Sequence, residues 1–572
     1  MGQASVSTVI PALLRAPPFK GLVEPPAHSP RAAHEAEDCA GLFEALREAR
    51  VGGRFWAKPV PADVLAEVIV RPRAATDREY LHNKAAHKRS LLIARDDTLN
   101  GELERLAIEG RTEWYMDCDP WSVLEPASEL IAHGDDEWIA IACILGVPVH
   151  VLSAGPFGSP EETPSQLCRR AMNALMQPLH DPFEDAWLTG KSAIALLAEW
   201  RRTIDGNRGS KSKPIVAACG MAWWKRDEIA RFLQVPDQPM PKFARADAAL
   251  AHARKMQGAL AVWPSRVSPE FIAEAQSQGV PVVKIEDGFV RSVGLGSNLI
   301  PPSSVVVDWQ GIYYDPSAPS DLETILRESD FGPELLARAR RLADAILAAG
   351  ISKYTATKGA EPSLPKPAKG RRVVLVAGQV EDDMSFLAGG HNITSNLALL
   401  KQARALEPEA EIWWRPHPDV DAGHRIGAID DDAATEFADH IVRDGSMAQL
   451  LDRVDAVHVH TSLTGFEALL RGCEVTCHGT PFYAGWGLTR DLAPASKRRG
   501  REIALEELIA GVLITYPRYL DPETRLPCPP EVLVKRIAQD QVKNRQGWIA
   551  PLRRLQGRMM AKLRRLPVRM SS

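Results

Sequence analysis

At 572 residues the chain is too long for one core, and at roughly 100–200 residues per domain it should form three or four. With 45% hydrophobic and 25% charged residues it has the make-up of an ordinary globular protein, which excludes disordered, fibrous and membrane-spanning classes. A net charge of −4 lacks the basic excess of a dedicated nucleic-acid binder.

The eight cysteines are scattered, and the closest pair, Cys473 and Cys477, has no matching second pair. Neither a disulfide framework nor a zinc site is expected, and the usage fits a reducing compartment. The opening MGQASVSTVIPALLRAPPFK lacks the early positive charge and unbroken apolar run of a secretory signal. No stretch approaches the roughly 18 apolar residues of a membrane span. The expected location is the cytoplasm, with peripheral attachment to the inner face of the inner membrane as an option.

In chain order, residues 1–50 are expected to be a loose lead-in. Over 51–213 strands and helices alternate: LLIARDD (91–97) reads as a strand into a helix start, and DEWIAIACILG (136–146) as a helix ended by Gly146. PVHVL (148–152) is then a β-branched strand. The helix–Gly–strand order ending in AGPF (154–157) recurs as GFEALLRG (465–472), EVTC (474–477) and GTPF (479–482). A polar stretch, DGNRGSKSK (205–213), marks a linker, and a second α/β segment (214–357) starts with IVAACG (215–220). It continues through ALAVW (259–263), SPEFIAEAQSQG (268–279) and VPVVKI (280–285). A second linker, 358–372, precedes a third α/β segment (373–540) with VVLVAG (373–378), EIWWRPHP (411–418) and VDAVHVHTS (454–462). Two Rossmann-like halves joined by a short linker describe a GT-B architecture, whose ligands sit beyond the carboxyl ends of the strands.

Four polar clusters stand at such strand ends. KIEDGFVRSVGLGS (284–297) delivers Glu286 and Asp287 from an apolar strand, with Gly288 permitting a turn. Arg291 follows, and Gly294 and Gly296 permit close backbone approach to a ligand. Paired carboxylates there suit acid/base or nucleophilic work on a glycosidic centre, though a lone Glu-Asp-Gly is more often a solvated turn. In RPHPD (415–419), Arg415 and a His417 held between Pro416 and Pro418 suit a phosphate or carboxylate, or form a plain strand exit. In HTSLTGFEALLRG (460–472), Thr461 and Ser462 precede a helix N-terminus, an anion site or an ordinary cap, with Glu467 in its first turn. AGQVEDDMS (377–385) brings Gln379 and Glu381 towards the same cleft without an obvious metal triad.

Read in order, KIEDGFVRSVGLGSNLIPPSSVVVD, GIYYDPSAPSDLE, AGQVEDD, WRPHPDVDAGHRIG, HTSLTGFEALLRG and GTPFYAGWGLTRD resemble the capsular polysaccharide β-Kdo transferases of the KpsC type, over roughly residues 214–495. The resemblance implies a GT-B fold, CMP-Kdo as donor and a capsule acceptor carried on a lipid, with no metal or other cofactor. Glu286, Asp287 and Gly288 match that family's Asp/Glu–Asp/Glu–Gly motif, His417 and Pro418 its HP motif, and Thr461 and Ser462 its Ser/Thr pair. It implies Asp287 as catalytic carboxylate: a nucleophile if the outcome is retention, which is favoured, or a base if inversion. His417 would hold the CMP phosphate, and Arg291 is a candidate for the sugar carboxylate. Residues 51–213 lack these motifs, with HGDDEW (133–138) where the Ser/Thr pair would stand, and read as a degenerate or truncated module.

Residues 541–572 carry nine Lys and Arg, no acid, and interleaved Trp548, Leu552, Leu555 and Leu563. A basic amphipathic tail suits an anionic membrane surface or a partner protein of the capsule machinery. The rival readings are an inactive scaffold for capsule assembly and a GT-B-like sugar-nucleotide epimerase.

Overall fold

The computed structural model describes residues 11–23, 39–95, 113–209, 213–290, 292–293, 301–351, 354–355 and 364–539, apart from 62, 65, 74–76, 78–88, 392 and 495. The expected basic tail, Arg291, Gly294 and Gly296 lie outside the described residues. The chain divides into two compact units, Met1–Ser212 with Leu233–Met240, and Lys213–Phe232 with Pro241–Ser572.

The first unit is built on a parallel sheet of β1 (Val68–Arg71), β2 (Ser90–Ile93), β3 (Glu113–Tyr115), β4 (Glu129–Ala132) and β5 (Val149–Val151), in the order β3-β2-β1-β4-β5. The run Val68, Ile69, Val70 is buried throughout, as expected of a strand covered on both faces. The helix Trp138–Leu145 is apolar nearly all round and therefore buried, and Gly146 ends it at a φ of 76° that favours glycine. A hairpin of β6 (Leu179–Asp181) and β7 (Ala186–Leu188) leads into the helix Gly190–Arg208, where Trp200 is buried.

The loose lead-in expected over 1–50 does not hold for the described residues there. Leu13, Leu14 and Phe19 are buried, Leu13 N donates to Ala174 O at 3.0 Å, and the Phe19 ring packs edge-on to Trp200 at 5.8 Å. Residues Cys39–Ala49 form a helix. These apolar side chains, spaced between prolines, have a core to enter. The boundary expected at 213 is also corrected, because Leu233–Met240 belongs to the first unit. Gln234 accepts from Lys20 N at 3.2 Å, and its carbonyl accepts from the buried Asn207 amide at 3.1 Å.

The second unit holds two large sheets. In the first, β8 (Ile215–Cys219), β9 (Lys242–Phe243), β10 (Ala259–Val262) and β11 (Val282–Asp287) run parallel. A two-residue strand, β12 (Ser292–Val293), pairs with β14 (Tyr354–Thr355). After it, β13 (Ser304–Asp308) joins β11 antiparallel. The second sheet is parallel throughout: β15 (Val373–Ala377), β16 (Glu411–Arg415), β17 (His440–Ile441), β18 (Ala456–Val459), β19 (Glu474–Cys477) and β20 (Arg490–Asp491), in the order β17-β16-β15-β18-β19-β20. Its first five strands repeat the β3-β2-β1-β4-β5 order of the first unit.

The chain then returns. Residues expected to stay in the second half re-enter the first sheet as β21 (Pro517–Leu520), antiparallel to β13, and β22 (Pro527–Cys528). The buried Tyr516 hydroxyl, donating to Asp308 at 2.8 Å beside β21, fixes this crossing. The helix Pro530–Ala538 follows, tied by an Arg338–Glu531 ion pair of 2.7 Å. A second tie runs through the buried Glu323, which accepts from Arg498 Nε at 2.6 Å and Arg499 Nε at 3.3 Å. Arg499 also donates to the carbonyls of Pro481 and Ala484 at 2.6 Å, binding the helix Asp321–Glu328 to the turn after β19.

Candidate active site

At the carboxyl edge of the first sheet, β11 buries Val283 and Ile285 and emerges half-buried at Glu286 and Asp287. Glu286 folds back so that its Oε1 accepts from Asp287 N at 3.0 Å. Asp287 Oδ1 lies 2.9 Å from Lys225 Nζ, on the turn Trp223–Lys225 after β8. Lys225 is only 8% exposed, and its ammonium sits 3.7 Å from the ring centre of Trp263, the residue after β10. Three adjacent strand ends therefore converge on one ion pair. Sequence reasoning missed Lys225 and Trp263. Their signal was present: a Trp-Trp-Lys turn and a Trp, each just beyond an apolar strand.

Gly288 is required for space: an added Cβ would come within 2.3 Å of Ser304 Oγ and 3.1 Å of Ser304 C. Its φ is not in the left-handed region, so close approach replaces the conformational role expected of it. Phe289 is buried against Tyr313 and Phe482, both at 4.9 Å, and Phe466 at 6.5 Å. The motif at the end of β11 thus rests on Phe466 and Phe482 from the second sheet's connections and on Tyr313 from the loop after β13. Tyr314 is buried with a hydroxyl that makes no hydrogen bond. Burial raises its pKa, and Glu286, Tyr313 and Asp383 add to the shift, so carboxylates from both halves act on one phenol.

At the second sheet, His417 caps the helix Pro418–Asp421, its Nδ1 accepting from Asp419 N at 3.2 Å. Nδ1 as acceptor places the ring proton on Nε2, a donor suited to a phosphate oxygen. Pro418 supplies the first helical position, where a missing N–H costs nothing. Ser462 Oγ and Thr464 Oγ1 are 3.0 Å apart at the start of Thr464–Leu469, and the Tyr483 hydroxyl donates to Ser462 O. Glu467 is buried in the same short helix.

Several residues expected to bind the donor are committed elsewhere. Arg415 donates to the carbonyls of Val442 and Asp444 at 3.0 Å and of Gly445 at 2.9 Å, so it holds a loop. Gln379 and Thr461 satisfy each other: Thr461 N donates to Oε1 at 2.8 Å and Nε2 donates to Thr461 Oγ1 at 3.1 Å. The Thr461 hydroxyl then donates to Ser385 O at 3.1 Å. Glu381 Oε1 accepts from Asn396 N at 2.6 Å and caps the helix Asn396–Leu406. Each was read as a ligand because its partner is distant in sequence.

Behind these groups lie buried imidazoles. His460 stacks on Phe386 at 4.3 Å, and neither of its ring nitrogens has a hydrogen-bond partner. Burial, then His391, pushes it down to about 4. His458 and His478 share a 3.0 Å contact and are pushed by burial to about 3 and about 4. Glu407 stands 3.6 Å from His458, beyond hydrogen-bond length, and does not offset that burial.

In the first unit the matching strand ends are filled by ion pairs. The buried Asp136 holds Arg71 at 2.8 Å and Arg95 at 3.0 Å, Asp135 holds Arg95 at 3.0 Å, and Arg71 lies over Trp138 at 4.2 Å. Among the described residues no group of three His, Cys, Asp or Glu is placed to hold a metal ion, and no helix is long and apolar enough to cross a membrane.

Two Rossmann-like sheets in one unit, motif residues at the carboxyl ends of both, and a final segment returning to the first sheet define a GT-B glycosyltransferase fold. A family model described as capsule polysaccharide biosynthesis protein matches residues 258–519. The lipopolysaccharide-processing protein LpsZ of Rhizobium meliloti is 39% identical over 347 residues, 58% of this chain and 74% of that protein. The chain belongs to this capsule polysaccharide biosynthesis family. The capsule polysaccharide modification protein LipA of Neisseria meningitidis serogroup B is 41% identical over 331 residues, and the match covers 58% of this chain but only 46% of LipA, so the chain spans about half of that relative. Among solved structures, the β-Kdo 2,4 transferase of Thermosulfurimonas dismutans KpsC is 30% identical, covering 57% of this chain and 98% of that one, with a TM-score of 0.49. The β-Kdo 2,7 transferase of the same protein is 33% identical, covering 57% and 99%, with a TM-score of 0.46.

Proposed function

We propose that the chain is a retaining glycosyltransferase that moves Kdo, or a related ulosonic acid, from a CMP-sugar donor to a lipid-linked or polysaccharide acceptor in capsule assembly. The observation that carries this reading is the Asp287–Lys225 pair: a carboxylate in a 2.9 Å ion pair at the carboxyl end of a strand in the first sheet of a GT-B fold. Asp287 attacks the anomeric carbon, the bond to the phosphate oxygen breaks, and its electron pair leaves with CMP. His417 Nε2–H donates to that phosphate and stabilises the departing charge. The acceptor hydroxyl then attacks the same carbon, the electron pair of the ester returns to Asp287, and Glu286 takes the hydroxyl proton.

The donor is a substrate, and the reading calls for no separate cofactor. Its identity rests on the motif resemblance to β-Kdo transferases. The Ser/Thr motif acts through Ser462 and the backbone around it, with Thr461 as a brace. The ion-paired strand ends of the first unit support reading it as a half-module without a donor site of its own. Action at the cytoplasmic face of the membrane, with the basic tail as attachment, completes the reading.

The test is CMP release from CMP-Kdo generated in situ, with a Kdo-terminated lipid acceptor, comparing wild type with Asp287→Ala. Acceptor-dependent release lost by about 10³-fold or more in the variant supports the assignment. Release that survives moves the chemistry to Glu286. A folded wild type that releases nothing favours the scaffold reading, and one that instead releases UDP and free sugar from a UDP-sugar supplied in its place favours an epimerase.

A further inference from the structure

Four tyrosines are buried among the described residues, and three of them spend their hydroxyls inside the fold. Tyr516 donates to Asp308 at 2.8 Å, Tyr519 to Leu513 O at 2.7 Å, and Tyr483 to Ser462 O. Tyr314 is the exception: it is 7% exposed, and its hydroxyl has no hydrogen-bond partner. A buried phenol normally finds one, because a polar group left unmatched away from water costs stability.

Tyr314 also stands at the candidate site. Its ring meets Tyr313 edge-on at 5.4 Å, and Tyr313 packs at 4.9 Å on Phe289, two residues beyond Asp287. After burial, Glu286 does most to hold the phenol above its ordinary pKa, and Asp383 and Asp315 add to it. The phenol therefore keeps its proton, and carboxylates lie near it without accepting a hydrogen bond from it. Asp383 precedes the helix Met384–Gly389 of the second half, so the hydroxyl faces groups of both halves, where the substrates of the proposed transfer must enter.

Charge decides what can match this donor. A phosphate or carboxylate beside it would stand against Glu286 and Asp383, and an apolar group would leave it unmatched. A sugar hydroxyl does neither: its oxygen accepts from the phenol while its own proton goes to a carboxylate. We propose that Tyr314 binds substrate directly, its phenol O–H donating to one sugar hydroxyl and so completing a hydrogen bond that the fold itself leaves unmade. This rests on the reading of the site as a sugar transferase and adds a specificity-determining residue to it. Tyr314 gives a hydrogen bond and keeps its proton throughout.

Tyr314→Phe removes the oxygen and keeps the ring, and Tyr516→Phe, which loses the bond to Asp308, is the control. In urea titration Tyr314→Phe should unfold at the same midpoint as wild type or a higher one, and Tyr516→Phe at a lower one. CMP release from CMP-Kdo with the Kdo-terminated acceptor should nonetheless fall in kcat/KM by about tenfold or more in Tyr314→Phe. Donor and acceptor analogues, each lacking one hydroxyl in turn, then locate the partner. The matching analogue slows wild type by the same factor and slows Tyr314→Phe no further. A match in the acceptor set places the bound hydroxyl on the acceptor, and a match in the donor set places it on the donor. Turnover by Tyr314→Phe equal to that of wild type overturns the proposal and leaves the transferase reading intact. So does a lowered urea midpoint, which assigns the hydroxyl to the fold, or the absence of any matching analogue. A folded wild type that releases no CMP overturns the transferase reading and this proposal with it.

Discussion

Phe289 and Phe482 pack with ring centres 4.9 Å apart, which sets the residue two positions beyond Asp287 against the turn that follows β19. Phe466 and Tyr313 complete the cluster. The carboxylate pair of the first sheet is thereby held through aromatic contacts to the half that carries His417.

Truncating Phe289 should therefore weaken both fold and site. Phe289→Ala is expected to lower the unfolding free energy by about 3–5 kcal/mol in urea titration. If the ring also aligns the halves, turnover should fall in the folded variant beyond what a control truncation elsewhere in the core produces.

Glu323 gives a second prediction. It is buried between Arg498 and Arg499, and removing it leaves two guanidinium groups without their anion. Glu323→Ala should cost about 3–5 kcal/mol. Glu323→Gln, which keeps acceptor oxygen but not charge, should cost less in the same denaturant series.

The imidazoles predict how stability follows pH. His458, His460 and His478 have folded-state values of about 3, about 4 and about 4, below the ordinary 6.5. The folded protein then binds fewer protons than the unfolded chain in this range. Stability is complete above pH 6.5 and declines as the pH falls towards 4, by about 1 kcal/mol per imidazole between pH 6.5 and 5.5. Urea midpoints measured across that window should move accordingly, and His460→Phe should flatten the slope. A midpoint independent of pH would contradict the burial described.

Arg415 and His417, two residues apart, should separate cleanly. His417→Ala is expected to lower kcat by about 10²–10³-fold with little change in unfolding free energy, the pattern of a group acting on developing charge. Arg415→Met removes donors from three carbonyls and should lower stability, with kcat restored wherever the variant is folded.

The sequence carried most of the fold and part of the site. Strand ends could be placed because uninterrupted apolar runs such as VVLVA and EIWW end abruptly in polar motifs, and parallel sheets put such ends together. The placement of Glu286, Asp287, His417 and Ser462 at or just beyond strand ends was legible for that reason. What could not be read was which polar groups spend their hydrogen bonds inside the fold. Arg415 answers to a loop at 442–445, Gln379 to Thr461, and Asp287 to a lysine 62 residues earlier. Those pairings depend on side chains meeting across strands, which local pattern does not encode. The return of β21 was missed likewise, because its short PRYL run looks the same in either sheet.

That return has a mechanical consequence. The two sheets of the second unit are joined by two covalent crossings, one before β15 and one after β20. The two sheets are therefore tethered to one another at two places along the chain. A protease nicking at the exposed Lys366 or Lys369 would sever one connection only, and the second would keep the halves covalently joined.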